Sequence, residues 1–221
     1  MPRLAGASSL VCLVGSLLSF TGSAQAALAI TAPNAGRGFV LSDFVTGFPG
    51  SAPMQPAGIA FASNHHVLVT DVDNSTLYAL PSHADGQVVG PANVLTTYTS
   101  VPYSLAQVQI GGTWHFFGNG FGGFVELDPA TGAVTRTLFG VAGLGAAPFP
   151  PGIAGPYAGH IFAGGTAIMW NIDPVAWTAV PYAASPTVVT DGMTFSPDGS
   201  LLYVVHLDSL FAINVATTGI A

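Results

Sequence analysis

Two hundred and twenty-one residues, half of them hydrophobic and only 6% charged, exclude an intrinsically disordered chain, which needs low hydrophobicity and high charge. There is no lysine, and three arginines against ten acids give a net charge of −7, so a nucleic acid would find almost no counter-charge to displace its condensed ions. The 28 glycines and 17 prolines promise many turns but fall short of the roughly 25–30% that marks low-complexity chains.

The chain opens with Arg3, then the apolar run Leu10-Val11-Cys12-Leu13-Val14-Gly15-Ser16-Leu17-Leu18, then small residues ending Ala24-Gln25-Ala26. Charge, run and A-x-A site in that order predict a secretory signal peptide over residues 1–26, its run too short to cross about 30 Å of hydrocarbon. Cys12 lies before the run ends, too early for a lipidated cysteine. Cleavage after Ala26 leaves 195 residues with no cysteine. A secreted, periplasmic or cell-surface product of this kind must hold by burial and backbone pairing alone. Residues 27–37 are expected to be an extension and 38–221 the folded domain. The uncharged stretch 138–157 carries five glycines and four prolines, so it predicts no membrane span.

Within the domain the sequence repeats itself. Pro56-Ala57-Gly58-Ile59-Ala60-Phe61, Pro102-Tyr103-Ser104-Leu105-Ala106, Pro151-Gly152-Ile153-Ala154 and Thr190-Asp191-Gly192-Met193-Thr194-Phe195 open alike, at spacings of 46, 48 and 40 residues. A second apolar run follows each opening, at 66–69, 115–117, 160–163 and 202–205, and a third at 76–80, 123–127, 167–172 and 210–215. Fourth runs lie at 94–98, 133–138 and 177–182. These short runs, rich in β-branched and aromatic side chains and divided by turn residues, have the strand pattern rather than the helix pattern. Ser196-Pro197-Asp198-Gly199 suits a type I turn, and Asp128-Pro129 and Asp173-Pro174 start the third connectors. Four strands recurring every 40–48 residues predict an all-β fold, a propeller of four-stranded antiparallel blades.

The segments Gly58-Ile59-Ala60-Phe61, Asn74-Ser75-Thr76-Leu77-Tyr78, Glu126-Leu127-Asp128-Pro129-Ala130-Thr131-Gly132 and Asp191-Gly192-Met193-Thr194-Phe195-Ser196-Pro197-Asp198-Gly199 resemble blades of the NHL, YVTN and SMP-30/gluconolactonase propeller group. The resemblance covers about residues 38–221, and the leader makes the chain similar to exported bacterial members. It implies six blades, whereas this length supplies about four at ~45 residues each. The favoured expectation is an open arc of a six-bladed ring, with exposed strand edges. The other is a closed four-bladed ring in which a strand at 38–45 completes the fourth blade, itself ending after its third strand at Gly219-Ile220-Ala221.

Enzymes of that group hold a divalent metal on the axis through a glutamate, asparagines and an aspartate, several just before the glycine that opens an inner strand. The matching positions are Ala57, Tyr103, Pro151 and Asp191. Only Asp191 offers a hard oxygen, and calcium wants about six to eight, so Ca2+ or another divalent ion rests on Asp191 alone and no catalytic set is assembled. Asn119 and His206, at the exits of second strands, are expected with Asp191 near one channel mouth, facing a small-molecule, carbohydrate or protein ligand. His66, His115 and His160 recur with the repeat and are read as blade packing, since zinc needs nitrogens at about 2.0–2.1 Å from one point. Asp71-Val72-Asp73-Asn74-Ser75-Thr76 starts like a calcium loop but lacks its glycine and closing glutamate, so it reads as a hairpin. Gly118-Asn119-Gly120-Phe121-Gly122-Gly123 matches a dinucleotide fingerprint by letter, yet a strand follows it. Trp114, Trp170 and Trp177 read as blade core.

Overall fold

The computed structural model describes residue 36 and residues 42–50, 56–61, 66–165, 168–184, 192–206, 209–216 and 219–220. The chain divides into two compact units, 1–41 and 42–221. The predicted leader, the extension apart from residue 36, and Asp191 lie outside the described residues.

The second unit is all-β and forms a propeller of four antiparallel four-stranded blades. Blade 1 contains β2 (Pro56–Phe61), β3 (Val67–Asp71), β4 (Thr76–Leu80) and β6 (Val94–Thr97). Blade 2 contains β7 (Ser104–Ile110), β8 (Thr113–Gly120), β9 (Gly123–Leu127) and β10 (Val134–Leu138). Blade 3 contains β11 (Ala146–Pro148), β12 (Ile161–Gly164), β13 (Ile168–Asp173) and β14 (Thr178–Ala184). Blade 4 contains β15 (Gly192–Phe195), β16 (Leu201–His206), β17 (Ser209–Asn214) and β18 (Gly219–Ile220). The first strands of successive blades pack side by side, β2 on β7, β7 on β11 and β11 on β15. Among the described residues no helix is long and apolar enough to cross a membrane.

Strand alternation gives every blade two faces, and at the three seams the facing sides of neighbouring blades are buried against each other. Ala60, Leu68 and Leu77 of blade 1 meet Leu105, Phe116 and Leu127 of blade 2. Phe117 and Phe124 of blade 2 meet Ile161 and Ile172 of blade 3, and Phe162 and Met169 of blade 3 meet Leu202, Val204 and Ile213 of blade 4. Burial of each such side chain contributes about 1.5–3 kcal/mol, which is how a fold without disulfides holds. Aromatic rings add directionality at the third seam: Phe162 sits edge-on to Tyr182 at 4.6 Å and to Phe195 at 5.1 Å. Trp114, Trp170 and Trp177 pack against these cores.

Two expectations are corrected. Blade 3 does not open at Pro151-Gly152, which lie in a turn; its first strand is Ala146–Pro148. Pro150 and Pro151 have no N–H to donate to a ladder, whereas Gly145 accepts from Gly164 N at 2.9 Å. The equivalent opening positions are therefore Gly58, Ser104, Gly145 and Gly192, 46, 41 and 47 residues apart. The strand was hard to read because Gly-Ala-Ala-Pro has neither β-branched nor aromatic side chains. Nor does the described part of the segment at 38–45 complete blade 4. It leads into β1 (Val45–Thr46), which pairs in parallel with β5 (Gln87–Val88), and Phe44, Val45 and Phe48 cover Val67, Val69, Tyr78 and Leu80 of blade 1. Blade 4 has its own short fourth strand, β18, on β17.

Candidate binding face

First strands begin and second strands end at one rim: Gly58 faces Thr70, Ser104 faces Asn119, and Gly192 faces Val205. Asn119 and His206 thus close the second strands of blades 2 and 4 at the same rim, and Gly192 begins there.

At this rim backbone packs on backbone, which explains the glycine that opens blade 1. A Cβ on Gly58 would lie 2.6 Å from Thr70 Oγ1 and 2.9 Å from Leu105 N, on the first strand of the next blade. In the linker to blade 3, a Cβ on Gly143 would meet Gly164 O at 1.5 Å. The glycines of the fingerprint-like run have the same cause. A Cβ on Gly118 would strike Pro102 at 2.5 Å and one on Gly120 would reach Val101 O at 2.9 Å, because the linker into β7 lies over the end of β8.

Asn119 is fully buried. Its Nδ2 donates across the seam to Gly145 O at 2.9 Å and Gly164 O at 3.1 Å, both in blade 3. Its Oδ1 and the facing Ser104 Oγ are buried and have no hydrogen-bond partner among the described residues. The residue expected at a channel mouth therefore has both amide hydrogens engaged in joining two blades.

A second line of clamps runs outside the first strands. Tyr98 Oη donates to Gly132 O of blade 2 at 2.6 Å, Arg136 Nη2 to Pro174 O of blade 3 at 3.3 Å, and Tyr182 Oη to Val215 O of blade 4 at 2.8 Å. Each donor sits on or just after a fourth strand and each acceptor in the third connector of the next blade. Burial raises the Tyr98 phenol far above its ordinary range and pushes Tyr182 up to about 12, so both stay protonated donors at any physiological pH. Sequence reading missed these clamps because donor and acceptor are 33 to 38 residues apart.

Two of the three repeating histidines bind within their own blades: His115 Nδ1 lies 2.7 Å from Glu126 Oε1, and His160 Nδ1 lies 2.8 Å from Asn171 Oδ1. Glu126 also accepts from Arg136 Nε, whose guanidinium stacks 4.2 Å over the Trp177 ring. Burial alone pushes the Glu126 carboxyl up, but hydrogen bonds from Arg136 and His115 and their charges outweigh it and hold the group below its ordinary value of 4.5. A depressed carboxyl stabilises the fold above its unfolded pKa and loses that contribution as pH falls through the folded value. The protein is therefore expected to lose stability in urea melts as pH drops below about 4.3, and Glu126→Gln is expected to flatten that loss. An equal acid loss in both proteins would refute the assignment.

Asp71 is buried and accepts from Asn74 N at 3.3 Å and Asn74 Nδ2 at 2.8 Å, while Ser75 takes a left-handed φ of 51°. The calcium-loop letters thus build the β3–β4 hairpin. Among the described residues no three His, Cys, Asp or Glu side chains gather as a metal centre.

Beside Asn119, the linker from blade 1 to blade 2 borders a groove of about 260 Å3. Tyr98, Val101, Pro102, Thr137 and Phe139 shape it, no charged side chain lines it, and Phe139 stands 82% exposed at its edge.

The sequence matches no protein-family profile and none of the curated proteins. Solved structures match the fold. Hydrazine synthase of Kuenenia stuttgartiensis superposes with a TM-score of 0.54 at 13% identity, over 75% of this chain and 47% of that one. The nidogen/laminin complex gives 0.54 at 16% identity, over 73% and 61%. The extracellular domain of the hybrid two-component system BT4673 from B. thetaiotaomicron gives 0.53 at 11%, over 81% and 23%. The chain is a β-propeller. It spans less than two thirds of each of these chains, and the likeness is one of fold alone.

Proposed function

We propose that the chain is an exported, non-catalytic β-propeller that serves as a binding or surface scaffold, akin to the NHL and SMP-30/gluconolactonase group that its blades resemble. One observation carries this reading. The reactive side chains described in the blades are engaged in holding them together, His115, Glu126 and Arg136 with one another, His160 with Asn171, and Asn119 with blade 3, while the rim keeps an uncharged groove. Such a lining suits a neutral partner with an apolar face, whether carbohydrate, small molecule or protein segment, because a charged one would lose hydration without gaining a counter-charge. Export rests on the order of Arg3, the apolar run and Ala24-Gln25-Ala26.

Produced in a bacterial host with its leader, the protein is expected outside the cytoplasm with Ala27 at its N-terminus, without lactone hydrolysis and without tight calcium binding in calorimetry. Tight metal binding together with lactone turnover would remove the scaffold reading. A metal-dependent lactonase is the second reading, favoured by the position of Asp191 directly before Gly192, which opens β15. Lactone turnover abolished by chelator and by Asp191→Ala would establish it, and turnover indifferent to chelation would end it.

A further inference from the structure

The side of each blade that faces the next one uses the same positions throughout. Leu77, Phe124 and Met169 are equivalent, each opposite the second-strand position that Thr70, Asn119 and Gly164 occupy. All three are fully buried under the following blade. Their counterpart in blade 4 is Leu210, opposite Val205, and it is 68% exposed, with Val205 at 41%. The opening glycine repeats the contrast: a Cβ on Gly58 would run into the next first strand, whereas a Cβ on Gly192 would meet nothing within 4 Å. Blade 4 thus presents an inter-blade face without its cover.

The opposite kind of face is open at the other end. In blades 2 and 3 the residue after the opening position, Leu105 or Ala146, is buried against the preceding blade. Its equivalent in blade 1, Ile59, is 47% exposed, as is Phe61 two residues on. The N-terminal segment covers β3 and β4 but leaves this strip of β2 open. First strand against first strand is also how the internal seams close.

We propose that blade 4 of one copy docks on blade 1 of a second copy, head to tail, continuing the internal seams. Gly192, Val205 and Leu210 of one copy meet Gly58, Ile59 and Phe61 of the other. The two faces differ, so the contact is heterologous and the assembly keeps one free face of each kind, one at either end, until a ring closes. None of these six residues is charged, so burial of apolar surface drives the association, and added salt, by screening the shared net charge of −7, strengthens it.

Sedimentation velocity on the purified protein tests this between about 1 μM and 0.1 mM. Wild type is expected to shift from monomer to at least twofold higher mass with concentration, and more readily in salt. Leu210→Asp and Ile59→Asp should each stay monomeric, with unchanged melting curves because both positions are exposed. Their equimolar mixture should form a dimer and nothing larger, since only one intact pair of faces remains. Gly192→Ala should melt at least as high as wild type yet associate at least tenfold more weakly. A wild-type monomer throughout, as when the two faces close on each other within one chain, would overturn the proposal. So would association that survives Leu210→Asp, or that Ile59→Asp leaves intact, the mark of a symmetric pairing through blade 4.

Discussion

Asn119→Leu is expected to lower stability by about 2–4 kcal/mol, among the largest effects of any single rim substitution. Leucine has the branching of asparagine but is bulkier, so the change opens no cavity and adds overpacking to the loss of the hydrogen bonds. The mutant takes the amide donor from Gly164 O in a site closed to water and one of two donors from Gly145 O, which keeps its bond from Gly164 N, and a buried carbonyl left without a donor costs about 1–3 kcal/mol. Loss of the unpartnered Oδ1 offsets part of this. Asn119→Asp is expected to be worse, because it sets a carboxylate against the two carbonyl dipoles. Ser104→Ala, which deletes only an unpartnered hydroxyl, should be near neutral. In urea melts the midpoint should fall for Asn119→Leu with an unchanged slope. A midpoint equal to wild type would show that the seam between blades 2 and 3 does not depend on this amide.

Gly143→Ala is expected to cost about 3 kcal/mol or more. Its Cβ would fall 1.5 Å from Gly164 O and 2.9 Å from Gly165 Cα. Both are backbone atoms, so no side chain can swing aside and the linker itself must leave blade 3. Movement of that linker would also stretch the Gly143 N to Gly120 O bond, already 3.4 Å. Because Gly164 O is the acceptor of Asn119 as well, the two substitutions share a partner, and the double variant should lose clearly less than the sum of the singles. Gly192→Ala is the control: with open space around the new methyl and less freedom in the unfolded chain, it should be neutral or stabilising by up to about 1 kcal/mol. Equal melting of Gly143→Ala and wild type would mean that the linker does not press on Gly164 O.

Much of the architecture was legible along the chain. Second and third strands such as Val67–Asp71 and Gly123–Leu127 carry runs of consecutive apolar residues, because both of their faces are buried and successive side chains fill one or the other. Turns announced themselves through Pro, Asp and Gly, as where Gly199 N closes on Ser196 O at 2.9 Å. Legibility failed at Ala146–Pro148, whose small side chains and proline carry neither the β-branched nor the aromatic signature of a strand. At the candidate face, Asn119 was recognisable as a polar residue at a strand exit. That its amide would point into blade 3 rather than into open space depended on Gly145 and Gly164, 26 and 45 residues further on.

The amino-acid sequence by itself determined an all-β chain of repeated four-strand units with a charge balance hostile to nucleic acids, since strand periodicity, turn chemistry and composition are local properties. Only the tertiary structure decided which blade faces are covered, where the third blade opens, and that Asn119, Tyr98, Arg136 and Tyr182 join neighbouring blades. Those outcomes depend on backbone approaching backbone across seams between residues tens of positions apart, and no local pattern encodes such an approach.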